Sequence, residues 1–194
     1  MQKFSEMSSP ELLRYVERAT KKRGVVVKLL VVGCSNDVLV IPVPVADKEI
    51  YGAEKHDVVV KNGAVCVRQG LRQAKFGTVG GGVHTDESIS FAATRECIEE
   101  FVELGLSLDE IKAFAHTVFS VSRPLGLTVF QWITSETEEV LRGVFDLYSV
   151  DVLLNGEQCG ILARRGATFL QAVETESLRS YMQVLQKEWR THAN

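Results

Sequence analysis

Apolar and polar positions fall along this chain in blocks of readable period. Leu12, Val16 and Ala19 recur at helical spacing behind Ser9 and Pro10, which predicts a helix over 10–23 that Ser9 caps and Lys21, Lys22 and Arg23 close ahead of Gly24. The runs VVVKLLVVG and VLVIPVPV read as two strands around the polar turn CSND. Pro42 and Pro44 put both missing N–H groups on one side of the second run, as on an edge strand. VVVK and AVCVR flank Asn62-Gly63, a pair suited to the positive φ angles of a tight hairpin turn. Farther on, FAHTVFSVS and LTVFQWITS read as strands joined by the turn RPLG, and Ser107 with Glu110 makes a capping box for a short helix. From 136 to 171 no period stands out beyond an Asn155-Gly156 turn. Leu178, Met182, Leu185 and Trp189 then have the i, i+4, i+7, i+11 spacing of a helix packed on a core.

Between these blocks lies GTVGGGVHTDESISFAATRECIEEFVELGL, residues 77–106, a glycine cluster running into a predicted helix. At about 100° per residue, Glu96, Glu99, Glu100 and Glu103 share one arc. Cys97, Phe101, Ile98, Phe91 and Val102 take the other side as its core face. Like charges at i, i+4 cost roughly 0.2–0.5 kcal/mol each, so the carboxylate arc repels itself unless solvent or a cation compensates it. A hard divalent cation is the economical compensation, because Mg2+ takes oxygen ligands and sits between carboxylates and substrate phosphates. That would also give the glycine loop a role.

Composition narrows the setting. With 194 residues and 45% hydrophobic content, the chain is long enough for one domain with an appendage: a helical extension over 1–24 and a main domain over 25–194. A net charge of −3 gives no general attraction to nucleic acid or anionic membrane, so a small molecule is the expected partner. Cys34, Cys66, Cys97 and Cys159 are scattered without a C-x-x-C pair, which indicates neither a zinc site nor a disulfide framework and fits a reducing, cytoplasmic setting. No apolar run approaches the roughly eighteen residues of a membrane span. The sequence leaves a homodimer open.

Gly81, Glu87, Arg95, Glu96, Glu99 and Glu100 stand at the spacing G-x5-E-x7-R-E-U-x-E-E, with Cys97 at the bulky position U, and in this the chain resembles the Nudix hydrolases. Phe76 and Gly80 match the aromatic residue and leading glycine upstream. The chain departs from the pattern at Val102 and Glu103, where the family has glycine and an aliphatic residue, and at Val79 and Asp86 in the loop. Gly105 arrives three residues late, which predicts a longer helix ending on a glycine cap. The resemblance implies a Nudix-type α/β/α sandwich with a mixed β-sheet and the N-terminal helix as an added element. It implies that the Gly80 carbonyl and the Glu96, Glu99 and Glu100 carboxylates bind Mg2+, or Mn2+ in its place, and that Glu87 pairs with Arg95 to hold the loop against the helix. It further implies that Arg68 and Phe76, with Gly81, contact substrate. The implied reaction is hydrolysis of a nucleoside diphosphate linked to another moiety. The general base stays open between a box glutamate and Glu136, Glu138, Glu139 or Glu157. Glu103 is an outer carboxylate of the same face, and His84 a loop imidazole beside it. Two other readings are a nucleotide-binding module without turnover and an RNA cap hydrolase.

Overall fold

Strand β1 (Lys22–Val31) is the spine of the architecture. Successive strand side chains point to opposite faces, so Val25, Val27 and Leu29 enter one core cluster and Val26 enters another. A strand buried on both faces reads as a continuous apolar run, and this is why VVVKLLV carries no alternation. Its one charge, Lys28, is 4% exposed, with its ammonium 5.6 Å from the centre of the Trp189 ring.

The computed structural model describes residues 2–33, 37–44, 52–71, 74–120 and 122–191. The turn CSND falls largely outside them, at 34–36, as do parts of the loops at 45–51 and 72–73. Among the described residues, β1 pairs in parallel with β8 (Glu139–Leu154) and antiparallel with β2 (Val38–Pro42) and the glycine strand β6 (Gly80–Gly82). With β3 (Glu54–Lys61), β4 (Ala64–Gly70), β5 (Phe76–Gly77) and β7 (Arg123–Thr134), the sheet order is β4-β3-β7-β8-β1-β2-β5, and β9 (Thr168–Phe169) adds to β2. Helices α2 (Ile89–Glu103) and α4 (Gly156–Arg164) cover one face through Cys97, Phe101, Ile161 and Leu162. Helix α5 (Ser180–Thr191) covers the other through Tyr181, Met182, Leu185 and Trp189. Helix α1 (Ser9–Arg18) packs Leu12 and Val16 against Val58, Phe130 and Trp132. The fold is α/β, a large mixed sheet with helices on both faces, and no helix among the described residues is long and apolar enough to cross a membrane.

Local chemistry explains the agreements. Asn62 (φ 52°) and Gly63 (φ 70°) make the β3–β4 turn with the positive angles that it needs. Helix α2 ends as the late glycine requires: Gly105 sits at φ 79°, its N–H donates to the Val102 carbonyl, and the Leu106 N–H donates to the Phe101 carbonyl. Leu106 and Phe101 are both buried, completing a Schellman cap.

Four expectations give way. Helix α1 starts one residue earlier, with Ser8 as N-cap donating to the Glu11 carboxylate. It ends at Arg18, because Lys22 and Arg23 are drawn into register with Phe145 and Asp146 of β8. β2 is not an open edge, since Ile41 pairs with Gly77 and Leu39 with Phe169. Among the described residues of FAHTVFSVS only Phe119 bridges, to Val152, and RPLG opens β7 itself, where the register with β8 breaks between Pro124 and Thr128. The Asn155-Gly156 pair is a helix start in place of the expected turn: the Asn155 side chain accepts from the Gln158 N–H and caps α4.

The box at Ser107 and Glu110 caps the short helix α3 (Leu108–Lys112) and does more than predicted, because the Glu110 carboxylate also accepts from Arg165 at 2.8 Å. The Ser107 N–H, with Arg165, holds this carboxyl down at about 2. A depressed acid contributes stability above its ordinary range and loses it as pH falls through the folded value. Glu110→Ala is therefore expected to melt below the parent chain at pH 7, with the gap closing as pH falls from about 4.5 to about 2; thermal melts across that range check it.

Candidate functional site

The pairing of β6 with β1 places Gly80, Gly81 and Gly82 against Val26, Val25 and Gly24. A side chain is excluded at Gly80 and crowded at Gly81. A Cβ on Gly80 would stand 2.6 Å from the Val25 carbonyl oxygen, and one on Gly81 would collide with the Glu96 carboxylate. The glycines let helix α2 lay Glu96 directly on the strand. Gly80→Ala must push β6 off β1, at about 1–3 kcal/mol, and a lowered denaturation midpoint is the expected readout.

Arg95 organises the carboxylates. Its Nε donates to Glu87 Oε1 at 2.9 Å and Nη2 to Glu87 Oε2 at 3.0 Å, a fork on one carboxylate. Nη1 reaches Glu96 at 2.7 Å and Glu99 at 3.0 Å, and Nη2 also reaches the Gly82 carbonyl at 2.8 Å. Glu87 is buried, accepts from the His84 N–H, and offers its own carbonyl to Arg23. The expected Glu87–Arg95 clamp between loop and helix is present. Arg95, with the His84 N–H, holds the Glu87 carboxyl down at about 2.

The wheel of α2 sits differently on the sheet from the expected one. Phe91, Ile98 and Val102 are 65%, 48% and 54% exposed, whereas Ala92, Ala93, Cys97 and Phe101 are buried. Small alanines let the helix approach the sheet closely, so the buried arc runs next to the glutamates and away from the three bulky residues. Glu96 is consequently desolvated, and burial raises its carboxyl. Glu100 goes farther: burial, with Glu103 and Glu96 nearby, pushes it up to about 7 against the opposing charges of Arg179 and Lys55. Glu99 stays half exposed, and Glu103 is exposed.

Two of the predicted substrate contacts lie elsewhere. Arg68 is on β4, at one end of the sheet order, and donates to the Met7 carbonyl at 3.0 Å. Phe76 pairs with Pro42 and packs into the core cluster under α5. Of the late glutamates, Glu139 accepts from the Ser5 N–H and the Thr134 hydroxyl, and Glu157 is exposed in the first turn of α4. In place of Arg68, the structure brings Arg179 and Lys55 to a cavity along the glycine strand, with Tyr181 and Gln131. Nothing in the spacing of the sequence marked Arg179, which stands in the apolar stripe leading into α5.

Among the described residues, no group of three or more His, Cys, Asp or Glu side chains closes around a point where a metal would sit. The reason is visible in the ion pairs, because Arg95 turns Glu96 and Glu99 toward itself. The donor set is nevertheless hard oxygen, and the desolvation of Glu96 and Glu100 is the state that a divalent cation relieves. No family model and no curated protein matches the chain.

Proposed function

We propose that this protein is a divalent-metal-dependent pyrophosphohydrolase of Nudix type, acting on a nucleotide or related diphosphate. One observation carries the reading: two desolvated carboxylates, Glu96 and Glu100, lie with Glu99 beside a strand whose Gly80 leaves no room for a side chain, and the Arg95 that forks onto Glu87 holds Glu96 and Glu99. Glu96, Glu99 and Glu100, with the Gly80 carbonyl, would hold Mg2+ or Mn2+. Such an ion supplies Lewis acidity toward a phosphoryl oxygen and lowers the pKa of bound water. In the overall reaction a water oxygen bonds to one phosphorus, the bridging P–O bond breaks, and a proton is released.

The chain's own contributions are positional. The clamp fixes the angle between loop and helix, so that the carboxylates and the glycine backbone share one ligand surface. Compensation of Glu96 and Glu99 by Arg95 keeps the face stable before a cation arrives. The assay is phosphate or pyrophosphate release from nucleoside diphosphate derivatives, dinucleoside polyphosphates and nucleoside triphosphates with Mg2+ and Mn2+. Turnover that Glu99→Gln and Glu100→Gln abolish is expected; full activity in both variants refutes the ligand assignment.

A second reading, a module that binds a nucleotide without turning it over, draws on the departures from the family pattern at Val102 and in the loop at Val79 and Asp86. Thermal stabilisation by one ligand and metal together, with no product formed, would select it.

A further inference from the structure

Along the glycine strand, a cavity of about 120 Å³ opens between Gly80–Gly82 and the start of α5. This is well below the roughly 300–1,000 Å³ of a pocket for a whole small molecule, so it suits one group of a ligand. Val26, Val129, Phe145 and Leu147 make most of its wall apolar, and Arg179 and Lys55 bring two cations to it.

Arg179 is built in. Its backbone N–H donates to the Phe76 carbonyl at 2.9 Å, and its Cδ would stand 3.1 Å from a Cβ on Gly77, so that glycine makes room for the side chain. Its Nε is buried and has no hydrogen-bond partner among the described residues. Burial works against the guanidinium charge, and Tyr181, Glu100 and Asp57 support it. Asp57 is 1% exposed and is anchored by the Ser180 hydroxyl at 2.6 Å. The Nε lies against Gly77, and the guanidinium as a whole borders the cavity, where an anion in a low-dielectric setting is the strongest acceptor available to it.

We propose that Arg179, with Lys55, anchors a compact anionic group of the substrate, a phosphoryl group, in this cavity. The proposal rests on the hydrolase reading of the neighbouring carboxylates and narrows it: what the substrate places here is a phosphate, not a sugar or a base. Size excludes the larger groups, and the two cations select charge. Gly82 and Phe145 also line an open recess that holds Lys22, Arg23, His84 and Glu96. A polyphosphate passing Gly82 therefore has cationic groups on both sides of it.

The test is calorimetric titration of the metal-free full chain with inorganic phosphate and pyrophosphate, in wild type, Arg179→Lys and Lys55→Ala, with melting curves to confirm folding. Arg179→Lys keeps the charge and removes the fork, so it stays informative where Arg179→Ala fails to fold. Affinity is expected to fall roughly ten- to a hundredfold in each variant. Where a nucleoside triphosphate is turned over, KM rises more than kcat falls. Wild-type affinity in both variants, no anion binding by wild type, or the same loss in Arg68→Ala instead would overturn the assignment. Anion binding lost in Arg179→Lys while no diphosphate is ever cleaved leaves the anchor standing and removes the hydrolase reading. Turnover with KM and phosphate affinity unchanged in both variants does the reverse.

Discussion

Arg95→Ala is expected to lower the melting temperature by roughly 5–10 °C, from about 2–3 kcal/mol at about 2–4 °C per kcal/mol for a chain of this size. The side chain is 20% exposed, and its donors reach Glu87, Glu96, Glu99 and the Gly82 carbonyl. Its removal leaves three carboxylates facing one another without the cation that now holds them. The loss should exceed that of Arg95→Lys, which keeps a charge but cannot fork onto Glu87. Differential scanning calorimetry with and without Mg2+ adds a second readout. Because Arg95→Ala frees Glu96 and Glu99, Mg2+ should recover more stability in the variant than it adds to wild type.

Glu100→Gln has the second large effect, and its sign depends on pH. Burial raises the Glu100 carboxyl to about 7, above its ordinary 4.5. A raised acid contributes stability that is fully present below the unfolded value and lost as pH rises through the folded one. In metal-free protein at pH 8 the charged carboxylate is therefore a burden of up to about 3 kcal/mol. Glutamine, neutral at every pH, should melt above wild type at pH 8 and close to it at pH 4. The same substitution should remove hydrolysis, so stability and activity move in opposite directions, as expected when a site stores unfavourable charge for use.

Legibility divided along a physical line. The sequence carried what depends on local chemistry: the Asn62-Gly63 turn, the Ser107 box, the Gly105 cap and the spacing that brings Glu87 to Arg95. It misled where tertiary packing decides. The basic trio after α1 looked like a helix end, yet parallel pairing with β8 makes Lys22 and Arg23 the start of β1, and Arg23 then supports the Glu87 carbonyl. Phe91, Ile98 and Val102 looked like core because the helical wheel sets them away from the glutamate arc, while the sheet accepted the alanines. β8, with sixteen residues, gave no period because it mixes a bulge, two buried faces and an exposed start at residues 140–142. Arg68 and Arg179 could not be ranked from spacing alone, since their difference is what each side chain reaches, the Met7 carbonyl in one case and the cavity in the other.

The most direct measurement is a titration of metal-free protein with Mn2+, followed by the electron paramagnetic resonance signal of the free ion, in wild type and in Glu96→Gln/Glu100→Gln. If the carboxylate face is a cation site that Arg95 guards in the metal-free state, wild type takes up Mn2+ and the double variant loses at least tenfold in affinity, about 1.4 kcal/mol. Equal uptake by the two proteins, or none by either, would contradict it.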